Sequence, residues 1–425
     1  MWENKERIQA NIGVYMNAIG RLMEYLDREN ARPIAIASAP GRVDFLNTHQ
    51  DYKGLPVVPI AVDLRIYMAA IRMDEEKFIV ESLDLGSRGE FYPSSKPRGE
   101  GFVRYLEACM VALEKTTGIH VGGGYRIIIS SDIPIGGGMG SSGALEVCFL
   151  KLITHISNIR VDTQTLAETA FIAENRMLGI PCGRLDQYAS AFGGVIMLIP
   201  KYPPKIERLG EPPLEILVID SGIKHRTEAI HPIRQEEIMR GIKEILAMDI
   251  PDGLRRKLSG KIDDIKWSEI TEEELKPYIE RIDWTSAKRI LFTIRMNTLT
   301  EIAVRMLKGE KLTARDKEYL KIMGIDTGEE KEILPSIINK QHELLRDLYD
   351  VSTPEIEEII RSALSAGAKA AKISGAGLGG CIIAFTEKKK IGNVSKACMD
   401  AGARRVWHVH IDVGAKIEPT HSTST

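Results

Sequence analysis

Cysteine is scarce. Only five occur in 425 residues (Cys109, Cys148, Cys182, Cys381 and Cys398), and they stand far apart. Such scatter supplies neither a disulfide framework nor metal-ligand spacing, and it leaves most of the thiols as small buried hydrophobes. Long apolar runs are missing too: no stretch reaches the roughly 18 residues of a membrane-spanning helix. Neither charge dominates, with 57 Lys and Arg against 59 Asp and Glu. The two signs are interspersed, so nothing steers the chain toward nucleic acid or an acidic membrane. The longest basic run, Lys388–Lys390, follows an apolar stretch and reads as a solvated turn. No internal repeat or low-complexity linker is present. Met1-Trp2-Glu3-Asn4-Lys5 opens into a helical pattern rather than an apolar signal segment. A soluble cytoplasmic protein, with neither membrane nor nucleic-acid partner, is expected.

The length is ample for a large core and predicts two domains. A proline- and glycine-rich stretch near 200–213 sets the division at 1–205 and 206–425. The first half alternates strand-like runs (33–38, 56–63, 66–72 and 125–130) with helical patterns at 141–156 and 163–178, the latter capped by Asp162. The second half reads as mostly helical to residue 366, with helices near 231–248, 286–308 and 335–349. Thr353-Pro354-Glu355 opens a further helix with a cap, a first-turn proline and an acid; it stops near Gly367. Strand-like runs at 370–374 and 381–385 follow, then a helix, a last strand at 406–413 and a polar, frayed tail from Pro419.

The strongest chemical signal is Pro134-Ile135-Gly136-Gly137-Gly138-Met139-Gly140-Ser141-Ser142-Gly143, between a strand and a helix. Glycines let the backbone approach an anion, and a helix start offers free N–H groups with positive dipole character. Ser141 and Ser142 stand where a hydroxyl could reach a phosphate oxygen or a bound magnesium. No Gly-Lys-Ser/Thr follows, so this is not a Walker loop. A second cluster, Ser374-Gly375-Ala376-Gly377-Leu378-Gly379-Gly380, matches the dinucleotide pattern in letters, but a strand follows where that fold needs a helix. It is either a tight turn between strands or a loop packed on the phosphate site. Glu174 and Asp186 are a candidate magnesium ligand and a candidate general base, or else surface and capping residues. Pro40 to Tyr52 concentrates Arg, Asp, His and Tyr after a strand, which suits a polyhydroxylated ligand; His49 could equally be structural.

Together these segments resemble the GHMP kinases, named for galactokinase, homoserine kinase, mevalonate kinase and phosphomevalonate kinase. Pro134–Ser142 resembles their ATP-binding loop and Ile373–Cys381 their third motif. Gly41-Arg42-Val43 with His49, Asp51 and Tyr52 resembles the galactokinase signature, and Cys182-Gly183-Arg184-Leu185-Asp186-Gln187 the segment carrying its catalytic Asp. His342–Asp347 leading to Tyr349–Glu355 is similar to a helix junction of that family. The resemblance implies a two-lobed α+β fold with the active site between an N-terminal and a C-terminal domain. It implies ATP-dependent phosphorylation of a monosaccharide at its anomeric hydroxyl, with Asp186 as base and Arg42 beside it. Gly136, Gly137, Gly138, Gly140, Ser141, Ser142, Gly375 and Gly377 would bind ATP, and Ser142 (or Ser141) with Glu174 would hold Mg2+. Asp44, Thr48, His49, Asp51 and Gly183 would face the sugar. A monomer or weak dimer is expected.

Departures bear on the substrate. Galactokinases carry Gly-Glu-His where this chain has Asn47-Thr48-His49, and that Glu helps bind the C6 hydroxyl. Thr48 removes an acceptor and a negative charge, which favours a C6 carboxylate (galacturonate) or a sugar without C6 (arabinose). Asp44, usually Asn, looks like the arabinokinase branch. Ile230-His231-Pro232-Ile233-Arg234 stands where the family presents a Tyr and paired arginines, and Arg289–Asn297 is only partly galactokinase-like. Two rivals are a sugar-sensing relative without turnover, disfavoured by the presence of Arg42, Ser141, Ser142 and Asp186, and a kinase for a non-sugar alcohol such as mevalonate. Gly140-Ser141-Ser142 fits the second slightly better than a triple serine does; His49-Asp51-Tyr52 argues against it.

Overall fold

The computed structural model describes residues 16–93, 97–134, 136–223 and 230–419. The opening Met1–Lys5 pattern, Ile135 of the glycine loop, residues 224–229 and the tail after 419 lie outside the described residues.

Two sheets organise the chain. The first has six strands in the order β12-β1-β2-β5-β3-β4, where β1 is Ala35–Leu46, β2 Val58–Met73, β3 Phe78–Ser82, β4 Ser87–Phe91, β5 Gly124–Ser131 and β12 Lys416–Glu418. All its pairings are antiparallel except β3 with β5. β6 (Ile196–Ile199) and β7 (Lys205–Arg208) form a separate hairpin. The second sheet is antiparallel, in the order β11-β8-β10-β9, from β8 (Glu215–Asp220), β9 (Ala368–Ser374), β10 (Cys381–Thr386) and β11 (Arg405–Val409). Helices α1 (Ala18–Arg28), α2 (Val103–Thr117), α3 (Ser141–Ile156), α4 (Thr163–Ile172) and α5 (Leu185–Phe192) accompany the first sheet. The later helices include α6 (Ile230–Leu246), α7 (Trp284–Leu307), α8 (Glu330–Asp347), α9 (Pro354–Ser365) and α10 (Ile391–Asp400). One apolar core runs through both sheets, and a second gathers around Trp267 between α6 and α7.

Several boundaries depart from the sequence pattern for identifiable reasons. β1 continues through Pro40-Gly41, where its register with β2 shifts, and all twelve of its residues are buried. The runs expected at 56–63 and 66–72 are one strand, β2. The polar break hid this, because Arg65 is buried and donates to Ser38 Oγ (3.0 Å), Asp412 Oδ2 (2.6 Å) and the carbonyls of Val413 and Gly414. A buried charge is tolerated when its hydrogen bonds are met. These same bonds draw the chain away after β11, so the expected strand to Val413 ends at Val409 and the chain crosses to pair β12 with β1. α8 starts at Glu330, five residues before its expected start, and carries Pro335 in its second turn. Thr353 caps α9 with Pro354 in its first turn, and Asp162 caps α4 through Thr165 N (2.6 Å).

Candidate active site

A cleft of about 600 Å³ gathers residues from distant parts of the chain. Of the residues marked from sequence, Arg42, Asp44, Thr48, His49, Asp51, Gly136, Gly138, Gly140, Ser141, Ser142, Glu174, Gly183, Asp186 and Gly375 line it. Gly137 and Gly377 sit behind that lining: a Cβ on Gly137 would meet Pro134 and Cys381, and one on Gly377 would meet Val351.

The glycine loop is held from two sides. β1 approaches it closely at Gly41, where a Cβ would lie 3.2 Å from Met139 O, and Arg42 N donates to that carbonyl (3.0 Å). From the other side, Cys381 N donates to Gly137 O (3.0 Å), and a Cβ on Gly375 would come within 3.1 Å of Gly138 O. Both open readings of the second glycine cluster therefore hold at once: it is the β9–β10 turn, and it packs on the first loop. Gly140, at φ +69°, takes a left-handed conformation that strains a side chain, and α3 begins directly after it.

Arg42 connects this loop to Asp186. Its Nε and Nη2 donate to Asp186 Oδ1 at 2.8 and 2.6 Å, and Nη1 donates to Gly138 O. Asp186 lies in the first turn of α5, where the helix dipole favours an anion. The preceding turn is braced by Arg184, whose Nε and Nη2 bond Glu168 at 2.8 Å.

Next to Asp186 is a group of buried carboxyls. The expected helix at 163–178 changes to a π-turn at Ala173–Met177, and Glu174 sits in it. Gln187 Nε2 donates to Glu174 Oε2 (2.6 Å) and Glu146 Oε2 (3.1 Å). Burial first, and Asp186 second, push Glu174 up to about 7, while a hydrogen bond from Ser142 opposes the rise. Glu146 is fully buried and is raised well above the carboxylate range by burial and then by Glu174. Carboxyls crowded beside a serine hydroxyl are a donor set suited to a hard cation.

At the other end, Asn47 and His49 both have φ +66°, a strained conformation held by surrounding bonds. Asn47 Nδ2 donates to Asn297 Oδ1 (3.2 Å), and His49 Nε2 donates to Ala376 O (3.0 Å). Burial lowers the His49 pKa well below its usual value, which favours the neutral ring, and its buried Nδ1 has no hydrogen-bond partner among the described residues. Thr48 Oγ1 accepts from Lys372 Nζ (2.8 Å), which also donates to Asp44 O (2.7 Å). Burial lowers Lys372 to about 8 and raises Asp44 to about 6, although each partly restores the other's charge. Asp51 lies against the backbone of Gly183.

Four of these residues have no role in the sequence reading. Gln187 appears there only as part of a motif, and His231 only as a departure from the family pattern. Yet His231 lines the cleft with its ring 5.2 Å from that of His49. Glu146 and Lys372 are lone charges in apolar runs, the one signal that could have marked them. Beside the cleft lies a smaller, mostly apolar cavity of about 260 Å³. It is lined by Ile66, Leu85, Phe102, Ile129 and Leu145 and shares Tyr105, Ser141 and Ser142 with the cleft.

Comparison with known proteins agrees with this geometry. Residues 104–194 match the GHMP kinases N terminal domain, 331–402 the GHMP kinases C terminal domain, and 24–72 the galactokinase galactose-binding signature. The chain is 24% identical over 392 residues to a galactokinase of Pasteurella multocida, covering 90% of this chain and 92% of that one. It is 27% identical over 382 residues to a galactokinase of Thermotoga maritima, covering 86% and 93%. Among solved structures, Lactococcus lactis galactokinase complexed with galactose superposes with a TM-score of 0.75 at 22% identity, covering 94% of this chain and 99% of that one. Methanococcus jannaschii mevalonate kinase gives 0.61 at 18% identity, covering 89% and 98%. The two sheets, with the cleft and glycine loops described above, are thus the α+β GHMP kinase fold. The chain carries the N- and C-terminal GHMP kinase domains together with the galactokinase galactose-binding signature, and is a phosphotransferase of the sugar-kinase type. Among the described residues, no helix is long and apolar enough to cross a membrane.

Proposed function

We propose that the protein transfers the γ-phosphoryl group of ATP to the anomeric hydroxyl of a monosaccharide, giving a sugar 1-phosphate and ADP. The observation that carries this reading is the Arg42–Asp186 pair, which joins the glycine loop to the Asp44–Asp51 segment in one cleft. Asp186 accepts the hydroxyl proton as the sugar oxygen bonds to phosphorus and the bond from phosphorus to the ADP oxygen breaks. Arg42 favours the ionised hydroxyl and balances charge on the transferring group. The glycine loop and the start of α3 receive the phosphates, and the apolar cavity beside Ser141 and Tyr105 suits the adenine ring. Ser142 and Glu174 would hold Mg2+, which fits the crowding that holds Glu174 near 7. Bound there, the ion would supply charge that neutralises the phosphates. Residues on both sides of the 205/206 division line the cleft, in keeping with a site between the two proposed domains.

The sugar is galactose-like, with C6 either a carboxylate, as in galacturonate, or absent, as in arabinose. Lys372 supports the first. Its buried ammonium donates to the hydroxyl of Thr48, which lines the cleft, so a substrate carboxylate beside Thr48 would find a cation behind that side chain, partly offset by Asp44. The test is ATP consumption over galactose, galacturonate, arabinose, N-acetylgalactosamine and mevalonate. Galacturonate or arabinose is expected to exceed galactose, and absence of turnover with every sugar would overturn the reading. Thr48→Glu should shift the kcat/KM ratio toward galactose by about tenfold or more, the worth of one charge-assisted hydrogen bond. An unchanged ratio would remove Thr48 from the C6 pocket.

A further inference from the structure

We propose that Glu215, His408 and His410 form a binding site for a divalent transition-metal ion of the zinc type, separate from the cleft. Each offers one ligand atom, and these atoms all lie within 4.8 Å of one another. The placement follows from the sheet. His408 and His410 are two residues apart and face the same side of an extended chain. In the antiparallel pairing of β11 with β8, Val409 stands opposite Ile216, which brings Glu215 alongside His410. Glu215 Oε2 is 2.8 Å from His408 Nε2, close enough for both to enter one coordination sphere.

A second carboxylate prepares the site. Asp63, on β2 of the other sheet, accepts from the His410 backbone N–H through Oδ1 (2.9 Å) and lies 2.9 Å from Nδ1 of the ring through Oδ2. That bond fixes the ring and leaves Nε2 open to an ion. A carboxylate behind a ligating histidine is the usual way such a ligand is oriented. Two imidazoles and one carboxylate favour zinc and its neighbours over magnesium or calcium, which prefer all-oxygen sites. The group is solvent-accessible beside a surface cleft of about 560 Å³, lined in part by Glu215 and His410, so an ion can enter and water can fill a fourth position. No member lines the active-site cleft. Glu215 and His408 belong to the second sheet, whereas Asp63 belongs to the first. An ion here would therefore clamp the segment that carries the chain from β11 back to β12.

The test uses the full chain, stripped with EDTA, returned to excess magnesium and titrated with Zn2+ by calorimetry and thermal denaturation. One ion per chain is expected at micromolar concentration or below, with a rise in the thermal midpoint. His408→Ala and Glu215→Gln should each weaken binding by at least about tenfold, and Asp63→Asn by about tenfold with the site retained. The double variant His408→Ala/His410→Ala should lose both the binding and the midpoint rise while keeping its basal turnover and circular dichroism spectrum. No zinc binding at micromolar concentration would overturn the proposal, leaving Glu215–His408 and Asp63–His410 as plain hydrogen-bonded pairs. Binding unchanged in the double variant would also overturn it.

Discussion

Asp186→Asn is expected to lower turnover by about 10²–10⁴-fold, the usual contribution of a positioned general base. ADP affinity, measured by calorimetry, should stay close to that of the parent. Asparagine keeps the volume and the Oδ1 acceptor that Arg42 uses through Nε and Nη2. Arg42 is buried and also bonds the Gly138 carbonyl, so removing its partner outright would leave an uncompensated cation and disturb the glycine loop. Asparagine removes proton acceptance and the charge at 186 but keeps these hydrogen bonds, and Asp44 and Asp51, the other carboxyls near Arg42, still offset its cation. A lost turnover with an unchanged thermal midpoint is the result that the proposed base requires. Activity within tenfold of the parent would end the assignment, though not the kinase reading, since alignment and charge neutralisation also contribute.

Much of this site was legible in the sequence because phosphate and sugar recognition demand particular residue types at short spacing. A glycine loop must open a helix for its N–H groups to face an anion, and 136–143 does so. Arg42, His49, Asp51 and Asp186 stand in compact segments and reach the cleft together. What stayed hidden depends on contacts between distant segments. Lys372 lies 324 residues from Thr48, and nothing local reveals that its ammonium bonds that hydroxyl. Glu146 is joined to Glu174 through the amide of Gln187, 41 residues further along the chain. The apolar period of 163–178 continues smoothly into the π-turn, so the pattern gives no sign of the altered winding that carries Glu174. Arg65 misled in the opposite sense, since a buried cation reads as a break in a strand until its four partners are known.

Gly183→Ala should lower kcat/KM for the sugar by about 10²-fold while ADP affinity holds, because it disturbs alignment at one end of the cleft only. The glycine has no unusual backbone conformation to preserve; the constraint is space. A Cβ there would stand 2.8 Å from Asp51 Cγ and would overlap its carboxyl oxygen. Either Asp51 moves away from the proposed sugar position, or the Cys182–Asp186 turn moves and carries the proposed base with it. The turn resists, because Arg184 bonds both Glu168 and the Pro200 carbonyl (3.2 Å). Asp51 resists less: its carboxyl, pushed up by burial, is held by the nearby backbone N–H groups of Asp51 and Tyr52. The first outcome is therefore expected, and it should appear as a raised sugar KM with a smaller loss in kcat. A loss confined to kcat would mean that the turn has yielded and Asp186 has moved. Activity equal to the parent's would mean that the Asp51 carboxylate is not placed by Gly183, and would remove both from the sugar site.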